Sequence, residues 1–575
     1  MYKDIYENWL AQEILTEEQR KELLDLKENE KDIEFRFGKF LEFGTAGMRG
    51  TIGMGTNMIN VYTVRRVTQG LAEYIKSLGK KFMERGVVIS YDTRKYSYEF
   101  ASSAAIVLAS NGIKTYIYND VHPVPMLSFA VRQLKTIAGI MITASHNPKE
   151  DNGYKMYGED GAQMSPENTA NVVKYINEID AEPDNYFSSK ILFDEKATKN
   201  IKVIGKKICN KYYKTIKKLL LSPKELKAVA KKVKLVYTPV HGSGYIPVTT
   251  ILKKMGINPI LVPEQLNKDP MFSTVEIPNP EYLETLSLGI KMADFKSADV
   301  VLGTDPDCDR LGVAIRNFEG EFVNLSGNQS GVLLLDYILR RLKETGKLNK
   351  KGFVVQSFAT TSLGRFVAEH YGVEMIEVPV GFKYIGEKIK ELDDTGLREY
   401  IFGYEDSCGS LRGTHSRDKD AVVASMLFAE MVCYYNYHGI GIYERLQQLY
   451  QQFGYFHDCN ISVKYKGLYA MKEMNQAVER MRNSTVTEIA GIKVVAVRDY
   501  KTAERKLPDG TVETIDCAKT NTIYYELEDG SYVCMRPSGT EPKLRAYYSI
   551  RGNSEQESTD KFNAIRKDFE EKMKG

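Results

Sequence analysis

Short apolar runs rich in β-branched residues recur along the chain, each bounded by glycine, proline or charge, with stretches of helical spacing between them. A first set predicts a strand at Gly86 to Tyr91, a helix through Tyr98 to Asn111, a strand at Lys114 to Tyr118 and another at Ala138 to Ile142. The layout returns with Val233 to Tyr237, a helix near Ile246 to Met255, Asn258 to Val262 and Ala298 to Leu302. It returns again with Gly352 to Gln356, Leu363 to His370, Val373 to Val378 and Tyr400 to Gly403. The third strand of each set runs into a polar loop, reaching Ser145, Asp305 and Glu405 respectively. Alternation of this kind predicts crossover-connected, mainly parallel sheets, whose ligands sit beyond the carboxyl ends of the strands.

The pattern changes on either side of these repeats. Residues 3–40 are dense in Glu, Lys and Leu at helical spacing, with Thr16 placed to cap a helix, and read as an outer helical arm. After Tyr455, strands at Asn460 to Lys464 and Ile492 to Val497, turns at Asp509-Gly and Asp529-Gly, and an amphipathic helix from about Ser554 predict a smaller α+β unit. The fold class expected is therefore α/β: three similar mixed-sheet domains in tandem, then the α+β domain, around a central cleft. The boundaries are placed at 1–228, 229–338, 339–455 and 456–575.

Composition narrows the function classes. A chain of 575 residues exceeds a single core. A formal charge of +3 over that length gives no general attraction to nucleic acid or to a membrane surface. No run of 18 apolar residues occurs, and acids stand near the amino terminus where a signal peptide would be apolar, so a cytoplasmic protein is expected. Seven scattered cysteines without a C-x-x-C pair argue against a disulfide framework or a zinc site.

Four loops carry candidate chemistry. In Thr143-Ala-Ser-His-Asn-Pro-Lys-Glu-Asp-Asn-Gly-Tyr-Lys155 the strand end delivers Ser145 to a tight, polar, exposed turn, where it is either a nucleophile or a plain cap. His146 is not taken as its base, because a neighbour in sequence usually points elsewhere. Gly303-Thr-Asp-Pro-Asp-Cys-Asp-Arg310 puts Asp305, Asp307 and Asp309 on one face if extended, where they suit a hard cation. An EF-hand is excluded, since Arg310 and Arg316 replace its glycine and glutamate. Gly403-Tyr-Glu-Asp-Ser407 offers Glu405 and Ser407 to sugar hydroxyls, and His415 and Lys419 downstream are proton donors or acceptors. Arg536-Pro-Ser-Gly-Thr540, with Lys543 and Arg545, combines guanidinium forks, the hydroxyls of Ser538 and Thr540, and Gly539 to free backbone amides, as a phosphate site requires. A glycine cluster at Phe43 to Gly50 adds Arg49.

These motifs, in this order over nearly the whole chain, resemble the α-D-phosphohexomutases. Gly44-Thr-Ala-Gly-Met-Arg-Gly50 is similar to the subgroup containing bacterial phosphoglucomutase, phosphopentomutase and glucose-1,6-bisphosphate synthase. The resemblance implies that Ser145 is a phosphoserine and that Asp305, Asp307 and Asp309 hold Mg2+ with one of its oxygens. It places Arg49, His146 and Lys155 around the phosphoryl group, Lys419 as the proton-transfer lysine, and Arg310, Lys383 and His415 at the substrate. It implies interconversion of glucose 1-phosphate and glucose 6-phosphate through glucose 1,6-bisphosphate. Phosphomannomutase, phosphopentomutase or bisphosphate synthase chemistry on the same serine are alternatives, with a non-catalytic sugar-phosphate sensor more remote. The only partner expected is a small sugar phosphate, acting on a monomer or dimer whose fourth domain moves across a linker. The sugar loop departs from the common Gly-Glu-x-Ser-Gly form by an inserted aromatic and by Cys408.

Overall fold

The computed structural model describes residues 2–44, 47–180, 187, 191–467, 469–538 and 542–574. Two compact units account for the chain, one of residues 1–314 and 410–433, the other of 315–409 and 434–575.

The first unit opens with three short helices, Tyr2–Ala11, Glu17–Asp25 and Glu30–Phe37. Thr16 caps the second through a capping box, its hydroxyl accepting from Gln19 N while the Gln19 side chain accepts from Thr16 N. Tyr6, Trp9, Leu23, Ile33 and Phe37 share a core with Met54 and Tyr62, and Trp9 meets Phe37 and Tyr62 edge to face at 5.7 and 5.6 Å. Beyond this arm lies a six-stranded sheet with Val87–Tyr91 between Ala138–Ile142 and Thr115–Tyr118, all parallel. The two strands Val87–Tyr91 and Ala138–Ile142 are buried throughout, which is why they read as unbroken apolar runs. Helices Val61–Leu78 and Ser97–Ser110 contribute Val67, Leu71, Ala104 and Leu108 to the same core. Antiparallel Asp151–Gly158 and Met48–Thr51 extend the sheet, so it is mixed. The second repeat in this unit sets Leu235–Thr238 between Ile260–Leu261 and Val300–Thr304, again parallel.

The second unit holds the third repeat, with Gly352–Ser357 parallel to both Glu374–Val378 and Glu399–Tyr404. It also holds the C-terminal antiparallel sheet of eight strands, covered by helices Ala470–Asn483 and Glu555–Lys574 through Met474, Val478, Ile565 and Phe569. Phe358 and Ala359 of the third repeat are buried in one cluster with Tyr500, Tyr524 and Tyr532 of the C-terminal sheet. Beside them Arg498 pairs with Glu377 at 2.5 Å, so the link between these two parts is a shared core rather than a bare linker. Among the described residues no helix is long and apolar enough to cross a membrane.

Trp9 is the only tryptophan of the chain. Trp9→Ala is expected to destabilise the first unit by about 3–5 kcal/mol, seen by circular dichroism as a lower midpoint of its denaturant transition. An unchanged midpoint would mean that the arm is not part of that unit's core.

Candidate active site

Ile142 is paired with Tyr91, so two parallel strands end side by side and their following loops share one end of the sheet. The chain then turns at Ser145 with φ 52, a left-handed conformation that costs a residue with a Cβ about 1–2 kcal/mol and persists only where its surroundings enforce it. Thr143 Oγ1 accepts from Ser145 N at 2.8 Å, Asn147 N donates to Ala144 O at 3.1 Å, and the Arg94 guanidinium fills the inside of the loop. The turn is not the exposed one expected from sequence. Ser145 is 3% exposed, because its hydroxyl points at the Asp305 loop and donates to Asp305 Oδ2 at 3.0 Å. The neighbour argument against His146 also fails here. The left-handed turn swings its ring back, leaving Nδ1 3.2 Å from Ser145 Oγ. Burial, then the charges of Arg310 and Arg49, push the imidazole pKa down to about 2, so His146 is neutral.

Asp305, Asp307 and Asp309 converge, but not as an extended segment. Residues 305–309 form a tight turn, with Cys308 at φ 52 and its N–H donating to Asp305 O at 3.0 Å. The turn curls around Asp305, whose Oδ1 accepts from the backbone N–H groups of Asp309 and Arg310 at 3.0 Å each. The loop after the second repeat's first strand braces it from behind: Ser243 N and Oγ both donate to Pro306 O at 2.8 Å. A Cβ on Gly242 would lie 2.6 Å from Pro306 Cα, so this position admits only glycine.

One oxygen from each aspartate lies within 4.8 Å of the others, and all three residues are buried. Lys155 Nζ approaches Asp307 Oδ2 at 2.8 Å and Asp309 Oδ2 at 4.0 Å, and Lys419 Nζ approaches Asp309 Oδ2 at 3.2 Å. Burial, followed by the neighbouring carboxylates, raises Asp305 well above the carboxylate range, and burial and Asp307 raise Asp309 as well. Burial opposes charge on Asp307 as well, but Lys155 holds it below that range. Asp307 Oδ1 and Asp309 Oδ1 are buried without a hydrogen-bond partner. Buried carboxylate oxygens left without donors, in an all-oxygen set, fit a hard divalent cation.

The other predicted residues of this unit sit close by. Arg49, on the strand paired with Asp151–Gly158, donates to Asn147 Oδ1 at 2.7 Å. Lys155 lies on that partner strand, two residues beyond Gly153, which is opposite Arg49. Arg310 pairs with Glu281 at 2.5 Å, its Nε 3.9 Å from Asp309 Oδ1. Lys419 arrives on the segment 410–433, anchored by Asp418, which accepts from Tyr157 OH at 2.9 Å and Gln163 Nε2 at 3.3 Å. His415 Nε2 is 2.8 Å from Asp420 Oδ2, and the same carboxylate accepts from Tyr212 OH and from Val423 N at the start of helix Ala421–Tyr437.

In the second unit Glu405 is buried, its Oε1 accepting from Gly381 N at 2.7 Å, so the sugar loop and the loop bearing Lys383 are joined. Ser407 follows beside helix Gly327–Glu344, where a Cβ on Gly327 would lie 2.0 Å from Asp406 O. Lys383 stacks on Tyr384 at 4.8 Å, and its pKa is lowered by burial and by the like charge of Arg536. Arg536 is directly opposite Arg545 across two antiparallel strands, and Ser538 N donates to Lys543 O at 2.8 Å. Gly539 and Thr540 lie outside the described residues.

Asp92 and Arg94, which support the serine loop, and Asp418 and Asp420, which seat Lys419 and His415, are absent from the residues selected by sequence. For the first pair a signal existed: they directly follow a buried parallel strand adjacent to the one that ends at Ser145.

A parallel-strand scaffold thus sets a buried serine against a carboxylate triad able to hold a cation, and the chain belongs to the phosphoglucomutase/phosphomannomutase family. Residues 41–183, 210–320 and 326–453 match the family's alpha/beta/alpha domains I, II and III, and 473–571 its C-terminal domain. It is similar to a phosphoglucomutase of Staphylococcus haemolyticus, with 37% identity over 92% of this chain and 94% of that one. A Staphylococcus aureus phosphoglucomutase is 36% identical over 94% and 95%. The crystal structure of a phosphoglucomutase/phosphomannomutase family protein from Burkholderia thailandensis, 16% identical, superposes with a TM-score of 0.67 over 92% of this chain and 96% of that one, which establishes the common fold.

If the triad takes a divalent cation, Mg2+ at a hundredfold its dissociation constant should stabilise the protein by about 2.7 kcal/mol and raise its melting temperature. The double variant Asp307→Asn, Asp309→Asn should lose that shift. A wild-type melting curve indifferent to Mg2+ would remove the cation from the site.

Proposed function

We propose that this chain is a phosphosugar mutase interconverting glucose 1-phosphate and glucose 6-phosphate through a phosphorylated Ser145 and glucose 1,6-bisphosphate. The observation that carries this reading is the position of Ser145 Oγ, 3.0 Å from Asp305 in a triad flanked by Lys155 and Lys419. Phosphoryl transfer asks a protein mainly for positioning and for charge compensation, and this site is built of both. Glucose as the sugar is supported by relatives named phosphoglucomutase at 36–37% identity. The division into four domains is placed at 1–228, 229–338, 339–455 and 456–575; the four matched segments have the same number and order, with the second and third beginning earlier, at 210 and 326.

In the forward half-reaction the bond between phosphorus and Ser145 Oγ breaks as a bond forms to a free hydroxyl of the bound sugar monophosphate. The hydroxyl proton ends on the departing Ser145 Oγ, with Lys419 as the proton-transfer residue, while Arg49, His146 and Lys155 surround the phosphoryl group and the His146 imidazole hydrogen-bonds Oγ. Mg2+ held by Asp305, Asp307, Asp309 and a phosphoserine oxygen would supply charge neutralisation at the phosphoryl oxygens. Arg310, Lys383 and His415 hold the substrate, and Glu405 and Ser407 grip the sugar hydroxyls. Arg536, Ser538, Gly539, Thr540 and Arg545 cradle the distal phosphate. The bisphosphate then reverses end for end, and its other phosphate returns to Ser145.

Coupled conversion of glucose 1-phosphate to glucose 6-phosphate, with Mg2+ and trace glucose 1,6-bisphosphate, tests the reading. Ser145→Ala should lower turnover by about 10³-fold or more and abolish the phosphate seen on this residue by mass spectrometry. Full activity in Ser145→Ala would overturn the mechanism, and faster turnover of mannose or ribose 1-phosphate would overturn the choice of glucose.

A further inference from the structure

The loop from Ser145 to Asp151 turns four of its carbonyl oxygens inwards, to one side chain. Arg94 Nη2 donates to Ser145 O at 2.6 Å and to Asn147 O at 2.5 Å, and Nη1 donates to Pro148 O at 2.7 Å and to Asp151 O at 3.0 Å. Arg94 is itself buried, and Phe272 lies 5.1 Å from its guanidinium. Its Nε faces Asp92 Oδ2 at 3.4 Å. Asp92 in turn accepts from Arg94 N at 3.0 Å, from Ser97 Oγ at 2.7 Å and from Thr143 Oγ1 at 2.6 Å. Thr143 Oγ1 is also the acceptor for Ser145 N at 2.8 Å. The amide and the carbonyl of Ser145 are thus both fixed by groups that trace back to Asp92 and Arg94, on the turn after the neighbouring strand.

We propose that Arg94 is a positioning residue for phosphoryl transfer: its planar fork fixes the backbone of Ser145 by collecting the carbonyls of the loop. The catalytic part of this rests on the reading of Ser145 given above. The carbonyls of Ser145, Asn147, Pro148 and Asp151 all take donors from one side chain, and no hydroxyl, amide or ammonium presents four N–H groups in one plane. Lysine would keep the charge and lose the fork, so the two residues are not equivalent here. Ser145 has a left-handed backbone that its own side chain does not favour, and the loop has no glycine between Ser145 and Asn152 to relax into. Without the fork the serine loses the restraint on its carbonyl side, and Oγ is no longer held in line with the acceptor hydroxyl.

The full-length Arg94→Lys variant tests this through two independent readouts. Amide hydrogen exchange in the segment 145–152 should rise by about tenfold or more over wild type, while the strands Val87–Tyr91 and Ala138–Ile142 keep wild-type protection. In the coupled glucose 1-phosphate assay kcat should fall by about 10²–10³-fold with KM within about threefold of wild type. Exchange at the wild-type rate in that segment overturns the positioning role, and an unchanged kcat overturns its catalytic consequence. An equal loss of protection in the flanking strands also overturns the proposal, since it would make Arg94 a general core residue. A wild-type protein without mutase turnover would refute the assigned function, and the exchange comparison would still decide what Arg94 does.

Discussion

Three carboxylates buried within reach of one point govern the first unit. Removing such charges from water is costly, and their mutual repulsion grows as the surroundings become less polar. Lys155 and Lys419 meet that demand from two segments far apart in sequence, at 2.8 Å from Asp307 and 3.2 Å from Asp309. Each lysine must therefore be seated as firmly as the acids are. Lys155 is held by the strand Asp151–Gly158 in its antiparallel register, and Lys419 by Asp418 with Tyr157 and Gln163. The oxygens left without donors on Asp307 and Asp309 leave room for one further positive charge and no more obvious role. Positioning and electrostatics are in this sense one requirement.

The repeats solve a shared problem by different means. In the first, the loop after the strand Val87–Tyr91 steadies the reactive loop through a charged fork. In the second, the corresponding loop does so by close approach, with Gly242 against Pro306 and Ser243 bonded to its carbonyl. Adjacent parallel strands end side by side, so the loop of one is always available to brace the loop of the next. What varies is whether the braced loop must hold a strained residue or a cluster of acids.

Much of this was legible in the amino-acid order, and the illegible parts have physical reasons. Buried parallel strands announce themselves, as Val87–Tyr91 and Ala138–Ile142 do, because both faces are apolar. The left-handed turn at Ser145 did not, since such turns are normally marked by glycine and none stands there. The convergence of Asp305, Asp307 and Asp309 was anticipated for the wrong reason. Alternation suggested an extended face, whereas the backbone curls around Asp305. Arg94 carries no sequence signal of its own, because its partners are carbonyl oxygens, which every residue carries and no side-chain motif encodes. The bond between Glu405 and Gly381 N was equally invisible, as it joins loops that follow different strands.

The assignment of residues 410–433 to the same unit as residues 1–314 has a consequence for biosynthesis. As the chain leaves the ribosome, the acidic turn emerges long before Lys419, and all of 315–409 must be made in between. During that interval the nascent protein holds its triad with only one of the two ammonium groups that balance it. The contact between Lys419 and Asp309 therefore forms only after residues 315–409 have been made, whereas that between Lys155 and Asp307 joins segments that are both complete before then.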